Sequence, residues 1–240
     1  MRALTGELLL TACDEGAEEH DLNRGLTLLS LALPETNRQQ LARLAIAERN
    51  VLLLRLRELS FGPSLQGFGA CSRCSAYLEF AWPVASLLDG LETHLARDPV
   101  LWSENGRQYQ LRPVTTGDLL AVLDAPDAAE AQERLLQRCL TVLEEPSITV
   151  QPAAVPALLE KFDQLHAAAE LSCAVQCPEC SHTEVLDLDI ARFLWLEVRS
   201  AGRRLLREIH ELAWAYGWSE RSIARMSPQR RNVYLEMLSA

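Results

Sequence analysis

The chain has 240 residues, 48% of them hydrophobic, a formal net charge of −10 and a mean hydropathy of −0.03. Such a composition can bury the core of one large domain or two small ones. It excludes an integral membrane protein, because no apolar run approaches the roughly 20 residues that span a bilayer, and its acidity disfavours general nucleic-acid binding. Charge is uneven, however. From Arg192 to Arg231 nine arginines meet four glutamates, an excess of +5 that leaves −15 on the remainder. This basic end reads either as a solvated helix face or as a docking surface for an acidic partner.

Segment 1–62 reads as helical. Leu10-Thr11-Ala12-Cys13 looks like a bacterial lipoprotein cleavage box, but the apolar stretch before it, Leu8 to Leu10, is far below the roughly 7–15 residues of a signal-peptide core. Cys13 is therefore read as a small apolar residue. Asp21 is placed as the cap of a helix through Leu31 that stops at Pro34. Thr36 is placed as the cap of a second, with Leu41, Leu44 and Ala45 at helical spacing. A third runs from Glu48 to Leu59, with Arg49, Arg55, Arg57 and Glu58 on its polar side, and ends at Phe61-Gly62-Pro63.

Segment 63–115 has a different texture. Gly62, Gly67 and Gly69 lead into Cys71-Ser72-Arg73-Cys74. Tyr77-Leu78-Glu79-Phe80-Ala81-Trp82 then fits a half-buried strand, and Asn105-Gly106 between two strand-like runs predicts a hairpin. Segment 116–168 returns to helices: a short one from Gly117 to Leu123, one from Ala128 to Leu140 capped by Asp127, and one from Pro156 to Ala168. In segment 169–190 a strand carrying Leu171, Cys173 and Val175 runs into Cys177-Pro178-Glu179-Cys180. Leu186, Leu188 and Ile190 then alternate with Asp187 and Asp189, whose side chains are read as the solvent face. Segment 191–240 predicts a long helix from about Ala191 to Tyr216, stopped by Gly217, a short helix capped by Ser219, and a last helix opened by Ser227-Pro228.

The two Cys-x-x-Cys pairs carry the sharpest chemistry. A turn holding two thiolates against one ion is half of a tetrahedral zinc site, and two such turns complete it. The odd total of seven cysteines also speaks for metal sites in a reducing, cytoplasmic setting rather than a disulfide framework. Such pairs usually lie about 15–20 residues apart, whereas 102 residues separate Cys74 from Cys177. The expected fold is therefore mainly α with a small β component: a split four-cysteine zinc ribbon (Cys71, Cys74, Cys177, Cys180) with a helical insertion, flanked by N- and C-terminal helical segments. Cys173 and His182 lie close enough in sequence to compete as ligands, but read as a core residue and a loop histidine. Cys139 also reads as core. Four thiolates leave no open coordination position, so the zinc is expected to be structural. Without a thioredoxin-like βαβ pattern, redox chemistry has no frame. No phosphate-binding glycine loop, His-Glu-x-x-His or nucleophile elbow occurs, so no catalytic residue is assigned.

Ala213 to Ile223 could be the turn of a DNA-binding helix-turn-helix. The would-be recognition helix stops after about eight residues, and Glu208, Glu211 and Glu220 lie around it, which argues against that use. The runs Ile209-His210-Glu211-Leu212-Ala213, Tyr216-Gly217-Trp218-Ser219-Glu220 and Ser227-Pro228-x-Arg230-Arg231-x-x-Tyr234-Leu235 resemble the T-even-type phage baseplate hub and hub-assembly proteins, a family also found in phage-tail-like contractile injection systems. Arg24-Gly25-Leu26-Thr27-Leu28-Leu29, the leucine-rich helix ending at Phe61-Gly62 and both cysteine pairs extend the resemblance over nearly the whole chain. It implies a non-catalytic structural or assembly role at the tip of a contractile tail, built in the bacterial cytoplasm, with other hub subunits as partners. Trp214, Tyr216, Trp218, Arg225, Arg230, Arg231 and Tyr234 are the expected protein-binding residues, since aromatics and arginine anchor interfaces. About half of the aromatics are expected to pack the C-terminal helices together, with the arginines forming the exposed part. The alternative is a zinc-ribbon nucleic-acid-binding or transcription-associated protein; Glu79, Glu179, Glu184 and Asp187 around the knuckles argue against it.

Overall fold

A computed structural model describes residues 1–93, 98–104, 107–143 and 156–239. Helices dominate it, accompanied by small antiparallel sheets. Four helices open the chain: α1 (Gly6–Gly16), α2 (Asp21–Ala32), α3 (Arg38–Ala42) and α4 (Ile46–Phe61). Hairpin β1 (Ser64–Ala70) and β2 (Tyr77–Pro83) follows, then α5 (Val84–Thr93). A three-stranded sheet, β3 (Val100–Glu104), β4 (Arg107–Leu111) and β5 (Leu140–Val142), brackets α6 (Thr116–Leu120) and α7 (Ala128–Cys139). After α8 (Pro156–His166) comes the second hairpin, β6 (Ser172–Gln176) and β7 (Thr183–Asp187). The chain closes with α9 (Ile190–Tyr216), α10 (Glu220–Ala224) and α11 (Pro228–Ser239).

Local chemistry fixes most of these ends. The Asp127 carboxylate accepts from the Glu130 amide at 2.9 Å, and Ser219 Oγ accepts from the Ser222 amide at 3.3 Å, each satisfying a free helix donor. Gly217 adopts φ 65° and ends α9, donating its amide to Ala213 O. Other caps differ from the sequence expectation by one position. His20 Nδ1, not Asp21, caps α2, and Asp21 pairs with Arg24 instead. Asn37, not Thr36, caps α3 through a reciprocal box with Gln40. Asp189 is exposed, as expected, but lies past the end of β7; its carboxylate caps α9 at Ala191 and Arg192, so Ile190 opens the helix. Leu140 leaves α7 and begins β5. The strands around the expected Asn105-Gly106 turn pair as a hairpin up to Glu104 opposite Arg107, and the turn itself lies outside the described residues.

The main core forms where α9 lies against α1, α2, α4, α10 and α11. Segments 1–62 and 191–240 therefore close over a shared set of side chains, including Leu28, Leu54, Leu194, Val198 and Leu212. Gly16 lets α1 approach the Trp195 ring so closely that a Cβ there would sit 2.5 Å from it. Helix α4 is more enclosed than its sequence suggests. Arg49 and Arg57, expected on a polar face, are both buried. Arg57 makes a two-pronged ion pair with Glu197 of α9, at 2.9 and 2.7 Å, and reaches Gly62 O at 2.7 Å. Arg49 lies against Asn50 Oδ1 at 2.9 Å.

A second core joins Leu111 of β4 and Val114, from segment 63–115, to Leu136, Cys139, Leu158 and Leu165 of the helical insertion. The insertion joins α4 through a bridge between Ala45 and Thr115 and a 3.0 Å hydrogen bond from the Ile46 amide to Val114 O. Within it Asp118 is nearly enclosed and accepts from Arg112 at 2.6 and 2.9 Å and from Arg138 at 2.9 Å. Burial opposes its charge, but the Arg112 guanidinium and the Thr115 hydroxyl and amide hold the carboxyl well below the usual range. No described helix is long and apolar enough to cross a membrane.

Candidate metal centre and docking surface

The two hairpins present their turns to each other with the same internal geometry. In the first, Ala70 and Tyr77 form the closing pair; in the second, Gln176 and Thr183 do. The first cysteine amide of each turn donates to the residue after the turn's serine, Cys71 N to Ala76 O at 2.9 Å and Cys177 N to His182 O at 2.8 Å. The serine amides return the bond, Ser75 N to Cys71 O at 2.8 Å and Ser181 N to Cys177 O at 2.9 Å. Ser75 and Ser181 take left-handed φ angles of 59° and 56°. The repeat Cys-x-x-Cys-Ser thus folds twice into one knuckle shape.

Those knuckles bring all four sulfur atoms within 4.8 Å of one another. Cys71 and Cys180 Sγ are 3.7 Å apart, and Cys74 and Cys177 Sγ are 3.6 Å apart. Four ligands at metal–sulfur bonds of about 2.3 Å in a tetrahedron require sulfur separations of about 3.8 Å. The donor set therefore fits a four-thiolate metal site. Thiol electrostatics agree. Cys71 is drawn down to about 7, first by the Cys74 amide and then by the Arg73 amide and neighbouring thiols. Cys74 is pushed up to about 12: its hydrogen bond from the Ala76 amide favours the thiolate, but crowding by Cys180 and Cys177 together with burial overrides it. Four thiolates at this spacing need a cation to share their charge.

Leu78 and Phe80 from β2, Ala76, and Val175 from β6 pack around the sulfurs. Glu184 of β7 accepts from the Ser72 amide at 3.1 Å and the Ser72 hydroxyl at 2.8 Å, a link between the ribbon halves that sequence reasoning missed. These bonds also lower the Glu184 pKa. His182 contributes its carbonyl to the knuckle, and its ring lies 3.7 Å from Glu184. Cys173 is buried on β6 opposite Leu186, and burial raises its thiol pKa. Neither joins the sulfur cluster. Cys139 lies in the insertion core, pushed up to about 11 chiefly by burial. Strand β1 was not foreseen. Its Gly67 sits opposite Phe80, whose ring would lie 2.3 Å from a Cβ there, so any larger residue would have to displace that ring.

In the C-terminal helices, four of the seven expected binding residues, Tyr216, Trp218, Tyr234 and Arg230, come together. Tyr216 stacks on Trp218 at 4.5 Å between ring centroids, and Tyr234 meets Trp218 edge-on at 4.8 Å. Arg230 stands 5.8 Å over the Tyr234 ring. Trp214, two positions before Tyr216 and so on another side of α9, is 87% exposed. Arg225 is exposed but shares Glu7 of α1 with Arg221. Arg231 departs from expectation: it is 6% exposed, held by Glu208 at 2.7 Å and Met226 O at 2.6 Å. It ties α11 to α9 and is not part of an exposed arginine patch. The chain matches no protein-family model, no curated protein sequence and no solved structure.

Proposed function

We propose that this chain is a non-catalytic structural or assembly protein of a contractile-tail baseplate hub, shaped by a structural zinc ion and acting by docking onto other hub subunits. Zinc suits a four-thiolate tetrahedron and, with its coordination filled, supplies cross-linking rather than catalysis. The thiolates persist in a reducing compartment, consistent with assembly in the cytoplasm.

The observation that carries the docking reading is Trp214, 87% exposed near the end of α9, two positions before the Tyr216-Trp218-Tyr234 tier begins. Leaving so large an apolar ring in water forgoes about 2 kcal/mol or more of burial. A partner that covers it recovers that energy, and the neighbouring arginines add directionality. The C-terminal motifs that resemble hub proteins contain Tyr216, Trp218, Arg230 and Tyr234 and flank Trp214, which gives the partner its class.

The test is gene deletion in the source organism, followed by electron microscopy of contractile particles. Complete sheathed tails should be lost, and wild-type protein should restore them. Trp214→Asp combined with Arg230→Glu should fail to restore them while folding normally, because both side chains are exposed. Intact tails in the deletion strain, or full rescue by the double variant, would overturn the reading.

A further inference from the structure

Helix α9 sorts most of its charges. Two of its three acidic residues, Glu197 and Glu208, turn inward, where Arg57 and Arg231 occupy them, and Glu211 near its C-terminal end is exposed. Its outward residues Arg192, Leu196, Arg199, Arg203, Leu206 and His210 are all exposed. They advance by four, three, four, three and four positions, which keeps them on one line along about 28 Å of helix. Arg207 flanks this line and is exposed as well. Arg192, Arg199 and Arg203 form no ion pair among the described residues. Leu196 and Leu206 are 46% and 49% exposed.

We infer that this outer face of α9 docks an acidic amphipathic helix of a partner protein. The inference rests on reading the chain as a docking protein; the line runs along α9 toward Trp214, four positions past His210, and excludes Tyr216, Trp218 and Tyr234. Three features select that occupant. The alternating three- and four-residue spacing is the seam on which a second helix packs its side chains. Unpaired arginines along the seam complement glutamate or aspartate flanking the partner's apolar stripe. The leucines then separate a helix from other anions. Phosphates of a duplex would engage the arginines but leave both leucines in water. A lipid surface calls for a broad apolar face, and two leucines ten positions apart on a narrow line do not make one.

The experiment uses the full metal-loaded chain and a synthetic helical peptide of about 21 residues, with leucine at its a and d positions and glutamate at e and g. Binding is read by fluorescence anisotropy at two salt concentrations. Expected is saturable one-to-one binding that weakens with salt and falls at least ten-fold for Arg199→Glu/Arg203→Glu. A similar fall is expected for Leu206→Asp, which changes the apolar seam. These side chains are exposed, so unchanged thermal melting confirms that the variants fold. The inference is overturned if the peptide does not bind, if a scrambled peptide of equal charge binds as well, or if the variants bind like wild type. Tighter binding of duplex DNA or phosphatidylglycerol vesicles than of the peptide would also overturn it. Trp214, Tyr216, Trp218 and Tyr234 are intact in every variant, so failure here leaves the hub-docking reading to its own genetic test.

Discussion

The body around α9 closes on twenty-seven buried apolar residues, whereas the ribbon's own cluster has three, two of them cysteines of the sulfur site. A two-stranded hairpin is at best marginal alone in water, and the ribbon consists of two such hairpins set turn to turn. Helix packing can hold the body; the ribbon needs a different source of free energy. Its sulfur cluster supplies the place for one, because metal binding to a site absent from the unfolded chain is itself folding energy. The ends of the hairpins are nevertheless anchored in the body, through Leu65, Val84 and Leu171. Ribbon and body are thus joined at the roots and differ at the tips.

The largest effect should come from breaking the ribbon's side of this contrast. Structural zinc is worth about 10–16 kcal/mol in small zinc domains. Cys71→Ser/Cys177→Ser, or removal of the metal with a strong chelator, should abolish hydrogen-exchange protection in the knuckles and both hairpins. Most far-UV helical signal should remain, because α1, α2, α4 and α9 do not depend on the sulfurs. Elemental analysis should find about one zinc per wild-type chain and none in the variant. Cooperative loss of all helices would show instead that the roots couple the two regions into one folding unit.

The body has its own weak point, and it is electrostatic. Arg57 is 3% exposed in its two-pronged pair with Glu197. Arg57→Ala strands a partly buried carboxylate and should cost about 3–5 kcal/mol. The paired change Arg57→Leu/Glu197→Leu should be much milder, since it removes both desolvated charges together. Urea midpoints of the three proteins check this, and equal losses in the single and paired variants would refute the account.

Arg57 also marks where the sequence stopped being legible. A central helix carrying arginines looks amphipathic in one dimension; the partner that permits burial lies 140 positions away. The same limit hid the Ser72 link to Glu184, which spans 112 positions. By contrast, signals written within a few residues were plain. The Asp127 and Ser219 caps, the Gly217 stop and the Ser227-Pro228 start each act through a bond or backbone angle inside one turn. The cysteine quartet was also readable because its chemistry admits few purposes, even across 102 residues. Strand β1 was hidden by its glycines, which look like a loop until Phe80 is seen to need the space. Helix α1 begins at a left-handed glycine and has no side-chain cap, so no start signal announced it.

The insertion should respond to pH in a way the ribbon's sulfurs do not reproduce. His166 Nε2 accepts from the Val114 amide at 2.8 Å, and Nδ1 lies 2.6 Å from Phe162 O, which fixes the neutral ring between acceptor and donor roles. Burial lowers its pKa below the ordinary value of about 6.5. The neutral ring's contribution is therefore complete above about pH 6.5 and is lost as pH falls toward the lower folded value, by at most about 1.4 kcal/mol per unit. Hydrogen exchange across residues 107–143 should accelerate on acidification from pH 7.5 to 5.5 beyond the intrinsic change. His166→Gln should flatten that response. An unchanged response in the variant would remove His166 as its source.

The smallest effect returns to the knuckles, where the two halves of the ribbon can be compared with each other. Ser75 and Ser181 occupy equivalent positions, and their left-handed backbones cost a residue bearing a Cβ about 1 kcal/mol. Glycine adopts that conformation freely but loses more entropy on folding, so each Ser→Gly change should gain a few tenths of a kcal/mol up to about 1. Metal competition with a chromophoric chelator reads this as up to about five-fold tighter binding, because the gain is realised only in the metal-loaded knuckle. Equal gains from Ser75→Gly and Ser181→Gly would confirm that the knuckles are energetically as well as geometrically alike. A gain confined to Ser181→Gly would place the difference in the Ser72–Glu184 link, which already braces the first knuckle against the second hairpin.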